Sequence, residues 1–216
     1  MAKAADALAG PAPDCDLCPR LVAFRRDNRK AHPDWFNGAV PAFGPATAEI
    51  LVVGLAPGLQ GANRTARPFT GDYAGVLLYP TLLKFGLAKG TYGADRGDGL
   101  TLVNSRITNA VRCVPPENKP TPAEQKTCRD FLIAEIAALP RLKAILALGR
   151  IAHDAAITTL GQRKAAFPFA HGALHRIKDG LLLADSYHCS RYNVNTGVLT
   201  IEMFEKVVAG LLKAIG

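Results

Sequence analysis

The sequence predicts a single α/β domain built on a mostly parallel sheet covered by helices on both faces. Three observations predict it. Four short apolar runs read as buried strands, stretches of helical spacing lie between them, and 216 residues at 49% hydrophobic composition can bury one sizeable core. Strands that alternate with helices favour parallel pairing, because each crossover carries its helix over a face of the sheet.

Taken in order, residues 1–14 are rich in Ala and Pro without periodicity and are expected to form a flexible N-terminal arm, leaving one domain over 15–216. Glu49 to Gly54 is the first apolar run, and it ends in a Gly/Pro-rich turn from Leu55 to Gly61. Leu100 to Thr108, Lys143 to Leu148 and Leu181 to Ser186 are the other strand candidates. Thr121-Pro122-Ala123-Glu124 opens a helix: Thr121 is the cap, Pro122 takes the first helical position and Glu124 completes a capping box. Behind it, Phe131, Leu132, Ile136 and Leu139 follow helical spacing. In sheets of this class ligands sit at the carboxyl ends of the strands, so the loops after Gly54, Thr108 and Ser186 are where chemistry is expected.

Composition narrows the setting. The 26 Lys+Arg against 18 Asp+Glu give a net charge of +8 and a pI near 9.4, which suits a polyanionic partner and equally an ordinary basic protein. No apolar run approaches the ~20 residues of a membrane-spanning helix, and the first fourteen residues lack the apolar stretch of a secretory signal. A cytoplasmic location is expected. Thiols there stay reduced, so the cysteines read as metal-binding or reactive rather than as disulfides.

Cys15-Asp-Leu-Cys18 is a C-x-x-C pair, Cys128 shares a helical face with Phe131, Leu132, Glu135 and Ile136, and Cys113 follows a strand candidate. Four cysteines from three segments suit a tetrahedral zinc ion or a cubane cluster. Free cysteines are also small buried hydrophobes, and that reading stands beside the metal. A redox C-x-x-C fits less well, since no strand precedes Cys15. Cys189, the fifth, has no activating partner at a recognisable spacing.

Two loops are dense in polar groups. Gly54 to Gly58 and Gly61 to Asp72 hold glycines, Arg64, Arg67, Phe69 and a carboxylate, with neither phosphate-loop nor dinucleotide fingerprint. His188 to Gly197 gathers His, Ser, Asn and Thr directly after a strand candidate.

Together, Cys15-x-x-Cys18 with Cys113 and Cys128, Gly54-Leu-Ala-Pro-Gly58, Arg67-Pro-Phe-Thr-Gly-Asp72, Thr108-Asn-Ala-Val-Arg-Cys-Val-Pro-Pro116 and His188-x-Ser-x-x-Asn-x-Asn-Thr-Gly197 resemble the iron–sulfur uracil-DNA glycosylases, and most closely family 5, the type B enzymes. The resemblance implies a central four-stranded, mostly parallel sheet in a three-layer sandwich, and a [4Fe–4S] cluster on Cys15, Cys18, Cys113 and Cys128. It implies a monomer that hydrolyses the N-glycosidic bond of uracil, and also of hypoxanthine or other deaminated bases, in DNA. By motif position, Asp72, His188 and Asn109 would be catalytic. Gly54, Ala56, Gly58 and Phe69 would join Asn109 and His188 around the base, and Arg64, Arg67, Ser190, Arg191 and Asn195 would hold DNA. This chain departs from the family pattern at Cys189, where Pro is usual, and at Ala66, where Gly is frequent. Leu55 and Ala56 are inert where related families carry a water-handling acid or Asn, which leaves Asp72 for that role. The alternatives are a non-catalytic iron–sulfur DNA-binding module and an electron-transfer iron–sulfur protein.

Overall fold

The structure, a computed structural model, describes residue 8 and residues 10–216. Helix α1 (Pro19–Ala31) precedes strand β1 (Ile50–Gly54), the short α2 (Ala62–Thr65) and α3 (Tyr73–Lys84). A two-residue ladder, β2 (Ala88–Lys89) with β3 (Thr101–Leu102), leads to β4 (Ser105–Asn109) and α4 (Pro122–Ala137). Then come β5 (Ala144–Leu148), α5 (Arg150–Thr159), β6 (Leu174–Arg176), β7 (Leu182–Ser186), α6 (Arg191–Asn195) and α7 (Ile201–Ile215). The sheet runs β4-β1-β5-β7-β6. The first four strands are parallel and β6 adds a short antiparallel edge.

All five residues of β1, β4, β5 and β7 are buried, as expected of strands covered on both faces. Alternation then divides the core. Val52 and Leu146 join Leu78 of α3 and Phe204 of α7 on one side. On the other, Leu51, Val53 and Ile145 meet Leu132 of α4 and Ala152 and Ala156 of α5. The result is the expected three-layer sandwich. Among the described residues, no helix is long and apolar enough to cross a membrane.

Four expectations change in detail. The central sheet has five strands rather than four, because the short antiparallel β6 pairs with the edge of β7. The run Leu100 to Thr108 is broken because Asn104 turns left-handed (φ 52°), its side-chain oxygen accepting from Glu49 N at 3.2 Å. The segment Gly61 to Asp72 is not one open loop but contains α2. Of the arm expected over 1–14, residues 1–7 and 9 lie outside the described residues. Its described part is fastened: the Leu8 carbonyl accepts from Arg106 Nη2 (2.7 Å), the Pro13 carbonyl from Ala39 N (2.9 Å), and Pro11 is buried.

The capping box of α4 forms as the sequence predicts, Thr121 Oγ1 accepting from Glu124 N (3.2 Å) while Glu124 Oε2 accepts from Thr121 N (2.7 Å). It fixes the start of the helix that carries Cys128. Buried polar cross-links tie the layers together. Asp185 of β7 lies 2.7 Å from His153 Nδ1 of α5 and 3.1 Å from His175 Nε2 of β6, and His153 Nε2 meets the Phe167 carbonyl at 2.8 Å. These three side chains converge closely enough to hold a metal ion. Their hydrogen bonds already use both ring nitrogens of His153 and both oxygens of Asp185, so the network reads as a structural tie between helix and sheet edge.

Candidate active site

A cleft of 380 Å³ opens at the carboxyl ends of β1, β4 and β7, large enough for a small ligand. A larger groove of 520 Å³ lies at the opposite ends of the strands, against Leu142, Lys143, Ile177 and Leu181, and holds none of the motif residues. The carboxyl-end cleft is lined by Ala56, Gly58, Phe69, Asp72, Asn109, His188, Ser190 and Arg191, the residues four separate motifs supply.

Its floor is built by close approach. Gly54 ends β1 beside Asn109, the last residue of β4. A Cβ on Gly54 would stand 2.4 Å from Asn109 Oδ1 and 2.5 Å from the Phe69 ring; glycine alone leaves that space. Phe69 has φ 53°, a costly conformation for an aromatic residue, held by the Tyr79 hydroxyl donating to the Pro68 carbonyl (2.5 Å) and the Tyr92 hydroxyl to the Phe69 carbonyl (3.3 Å). Asn109 is 3% exposed and its Oδ1 accepts no hydrogen bond among the described residues. A buried acceptor left open costs free energy unless a ligand completes it.

Across the cleft, the His188 ring centroid is 6.2 Å from that of Phe69. Burial holds its imidazole below the usual histidine range, so it is neutral at pH 7 with one N–H to donate. Gly149, at φ +96°, lies behind it, and a Cβ there would meet His188 Cβ at 3.2 Å. Asn193 Nδ2 donates to the His188 carbonyl (2.8 Å) and fixes the turn.

Asp72 caps α3, Oδ1 accepting from Ala74 N (3.1 Å) and Gly75 N (3.3 Å). Its Oδ2 faces Gly58 and Gly61, where a Cβ would come within 3.3 and 2.4 Å. Burial raises the carboxyl above its usual value, against the two backbone hydrogen bonds that lower it.

The DNA-facing residues divide. Ser190 caps α6 by accepting from Asn193 N (3.3 Å), and the exposed Arg191 lies over the Tyr73 ring at 5.4 Å. Asn195 is exposed and accepts from the Tyr73 hydroxyl (3.2 Å), and Arg64 is exposed on α2. Arg67 corrects the expectation. It is 3% exposed, makes two hydrogen bonds to Asp98 (2.8 and 2.6 Å) and packs against Phe43, Tyr79 and Tyr92, so it fastens the Phe69 loop and reaches no phosphate. The unusual residues also find places. Ala66 takes the left-handed cap of α2 (φ 60°), the conformation that favours glycine, and Cys189 is fully buried in the core. Tyr73 and Asn118 line the cleft as well. Tyr73 opens α3, and Asn118 lies far along the connection from β4 to α4, outside the motif residues that the sequence singles out.

Cys15, Cys18, Cys113 and Cys128 line one cavity with Leu21, Val111 and Phe131. Arg112 N donates to Cys128 Sγ (3.4 Å) and Arg25 Nη1 lies 3.9 Å from Cys113 Sγ. Among the described residues, no three of these sulfurs come within 4.8 Å of one another.

The chain matches the profile of the Uracil DNA glycosylase superfamily over residues 41–212. It is 48% identical over 200 residues to the Type-5 uracil-DNA glycosylase of Thermus thermophilus, covering 90% of each chain. Against the protein of that name from Pyrobaculum aerophilum it is 39% identical over 199 residues, 90% of this chain and 86% of the relative. Against that from Mycobacterium tuberculosis it is 39% identical over 210 residues, 94% and 78%.

Proposed function

We propose that this chain, which belongs to the uracil DNA glycosylase superfamily, hydrolyses the N-glycosidic bond of uracil in DNA and so begins base excision repair. The observation that carries the reading is the open, buried Oδ1 of Asn109 beside Phe69. The Watson–Crick edge of uracil presents an N3–H donor next to an O4 acceptor. The Asn109 amide answers both, its oxygen to N3–H and its nitrogen to O4, while the ring of Phe69 supplies a stacking face. Cytosine, with a bare N3 and an amino group at C4, leaves that pairing unmade, and a site built for a hydrogen bond rejects a base that cannot make it.

A base inside a duplex is out of reach, so uracil must be swung out into the cleft. As the bond between C1′ and N1 breaks, its electron pair leaves on the uracil ring and the sugar becomes oxocarbenium-like. The neutral imidazole of His188 donates its N–H toward the base oxygen as charge grows there, a contact that strengthens in the transition state. Asp72, with Oδ1 held by α3, has Oδ2 to orient the water that adds to C1′ and to take its proton. Its raised pKa makes it a stronger base than a surface carboxylate. Ser190 and Arg191 stand at the rim where phosphates would pass.

The cysteine cavity fits a [4Fe–4S] cluster held by Cys15, Cys18, Cys113 and Cys128. The sulfurs are spread too widely for one tetrahedral ion at ~2.3 Å from each, and buried N–H groups point at them. When bound, the cluster would supply iron–thiolate cross-links between three chain segments. Asn109 lies four residues before Cys113, so the same cross-links brace the base-reading end of β4.

Duplex containing a single uracil, incubated with the protein and treated with alkali, should break at that position, with a cytosine control intact. Asn109→Ala should lower kcat/KM by about 100-fold. No cleavage by folded, iron-loaded protein would refute the reading.

A further inference from the structure

Two buried arginines stand at the cysteine cavity with more positive charge than the protein itself balances. Arg25 is 5% exposed. Its Nη1 donates to the Cys15 carbonyl (2.9 Å) and lies 3.9 Å from Cys113 Sγ, its Nε has no acceptor, and no carboxylate pairs with it among the described residues. Asp14, the acid on this side, is engaged at the surface by Arg29. Arg112 is 2% exposed and lines the cavity. Its Nη2 donates to Glu135 Oε2, while Nε and Nη1 have no acceptor among the described residues. Glu135 must also serve Arg106, whose Nε donates to Oε1 at 2.7 Å. One carboxylate therefore faces two guanidiniums, which leaves one positive charge there and a second at Arg25.

Uncompensated buried charge is strongly destabilising, and three orphaned guanidinium nitrogens beside four cysteines call for an anion in the cavity between them. Four thiolates on a cubane cluster in its common oxidised state carry a net charge of about −2, which closes the count. We propose that Arg25 and Arg112 are the counter-ions of the cluster, retaining it by charge and by N–H contacts to its sulfurs and raising its reduction potential. This rests on the iron–sulfur reading. Positive charge favours the more negative, reduced form, so removing one arginine lowers the potential and loosens the iron. A guanidinium that merely packed would affect melting temperature alone.

The test compares wild type with Arg25→Met, Arg25→Gln and Arg25→Lys, prepared without oxygen. The readouts are iron and sulfide per chain, the rate at which the absorbance near ~400 nm is lost to an iron chelator, the reduction potential and the melting temperature. Arg25→Met and Arg25→Gln should lose iron on the order of ten-fold faster and show a more negative potential, and Arg25→Lys should recover both in large part. Gln keeps a donor for the Cys15 carbonyl and so serves if Met fails to fold. Unchanged release and potential in a folded, iron-loaded Arg25→Gln would overturn the counter-ion role while leaving the cluster intact. A wild type that takes up no iron would remove the cluster reading, and this proposal with it.

Discussion

Asp72 divides its two oxygens between structure and chemistry. Oδ1 caps α3 through Ala74 and Gly75, and asparagine caps helices as well as aspartate does. Asp72→Asn should therefore fold with a melting temperature close to wild type while kcat falls by on the order of 100-fold or more. The pH profile carries the sign. Activity needs ionised Asp72, whose pKa burial raises, so the rate should decline on acidification at a higher pH than an ordinary carboxylate would give. Burial lowers the pKa of His188, so the imidazole stays neutral from pH 8 down through about 6.5, and no decline belongs to it in that window. A profile for the residual activity of Asp72→Asn with the same acid limb would take Asp72 out of the mechanism. Gly54 is the second residue with a sharp prediction. An added methyl would overlap Asn109 Oδ1 and the Phe69 ring, and displacements near 1 Å cost about 100-fold in rate. Gly54→Ala should lose activity of that order, read as kcat/KM on uracil-containing duplex.

At the level of elements, the two loops that meet at the cleft are held by different means. The Phe69 loop between α2 and α3 depends on the buried pair of Arg67 with Asp98, and the His188 turn depends on Asn193 and the cap of α6. Arg67→Ala strands Asp98, 6% exposed as a side chain, and should cost about 3 kcal/mol, roughly 10 °C in melting temperature. Arg191→Ala should leave melting unchanged and weaken binding to DNA of any sequence, reducing the slope of log K against log salt by about 1. The contrast separates two arginines that look alike in the sequence. Both lie in polar loops at strand ends, and only the partner 31 residues away assigns Arg67 to the interior.

For the whole molecule, acid should act through carboxylates that the fold stabilises as anions. Hydrogen bonds from Arg67 hold Asp98 well below the usual carboxylate range. Asn104, Lys143 and Arg141 hold Glu49 at about 2. Groups depressed on folding contribute stability that is fully present above their unfolded pKa of ~4 and is lost as pH falls toward the folded value. Melting temperature, followed by circular dichroism, should fall between pH ~4 and ~2, and Asp98→Asn should start lower and flatten that fall. A wild-type curve without such a fall would contradict the assignment.

The sequence by itself determined the layered fold, the four parallel strands, the cap of α4 and most of the residues at the cleft. Apolar runs of strand length and capping residues are local signals, and the carboxyl-end rule turns strand boundaries into a map of the site. Only the tertiary structure decided what each polar side chain does. It buried Arg67 against Asp98, gave Asp72 a helix to cap, left Asn109 Oδ1 open, brought Asn118 and Tyr73 to the rim, and shared Glu135 between Arg106 and Arg112. Partners for charges and amides come from segments far apart in the chain, and burial, which sets both the cost of a charge and the direction of a pKa, is a property of the packed fold rather than of the residue.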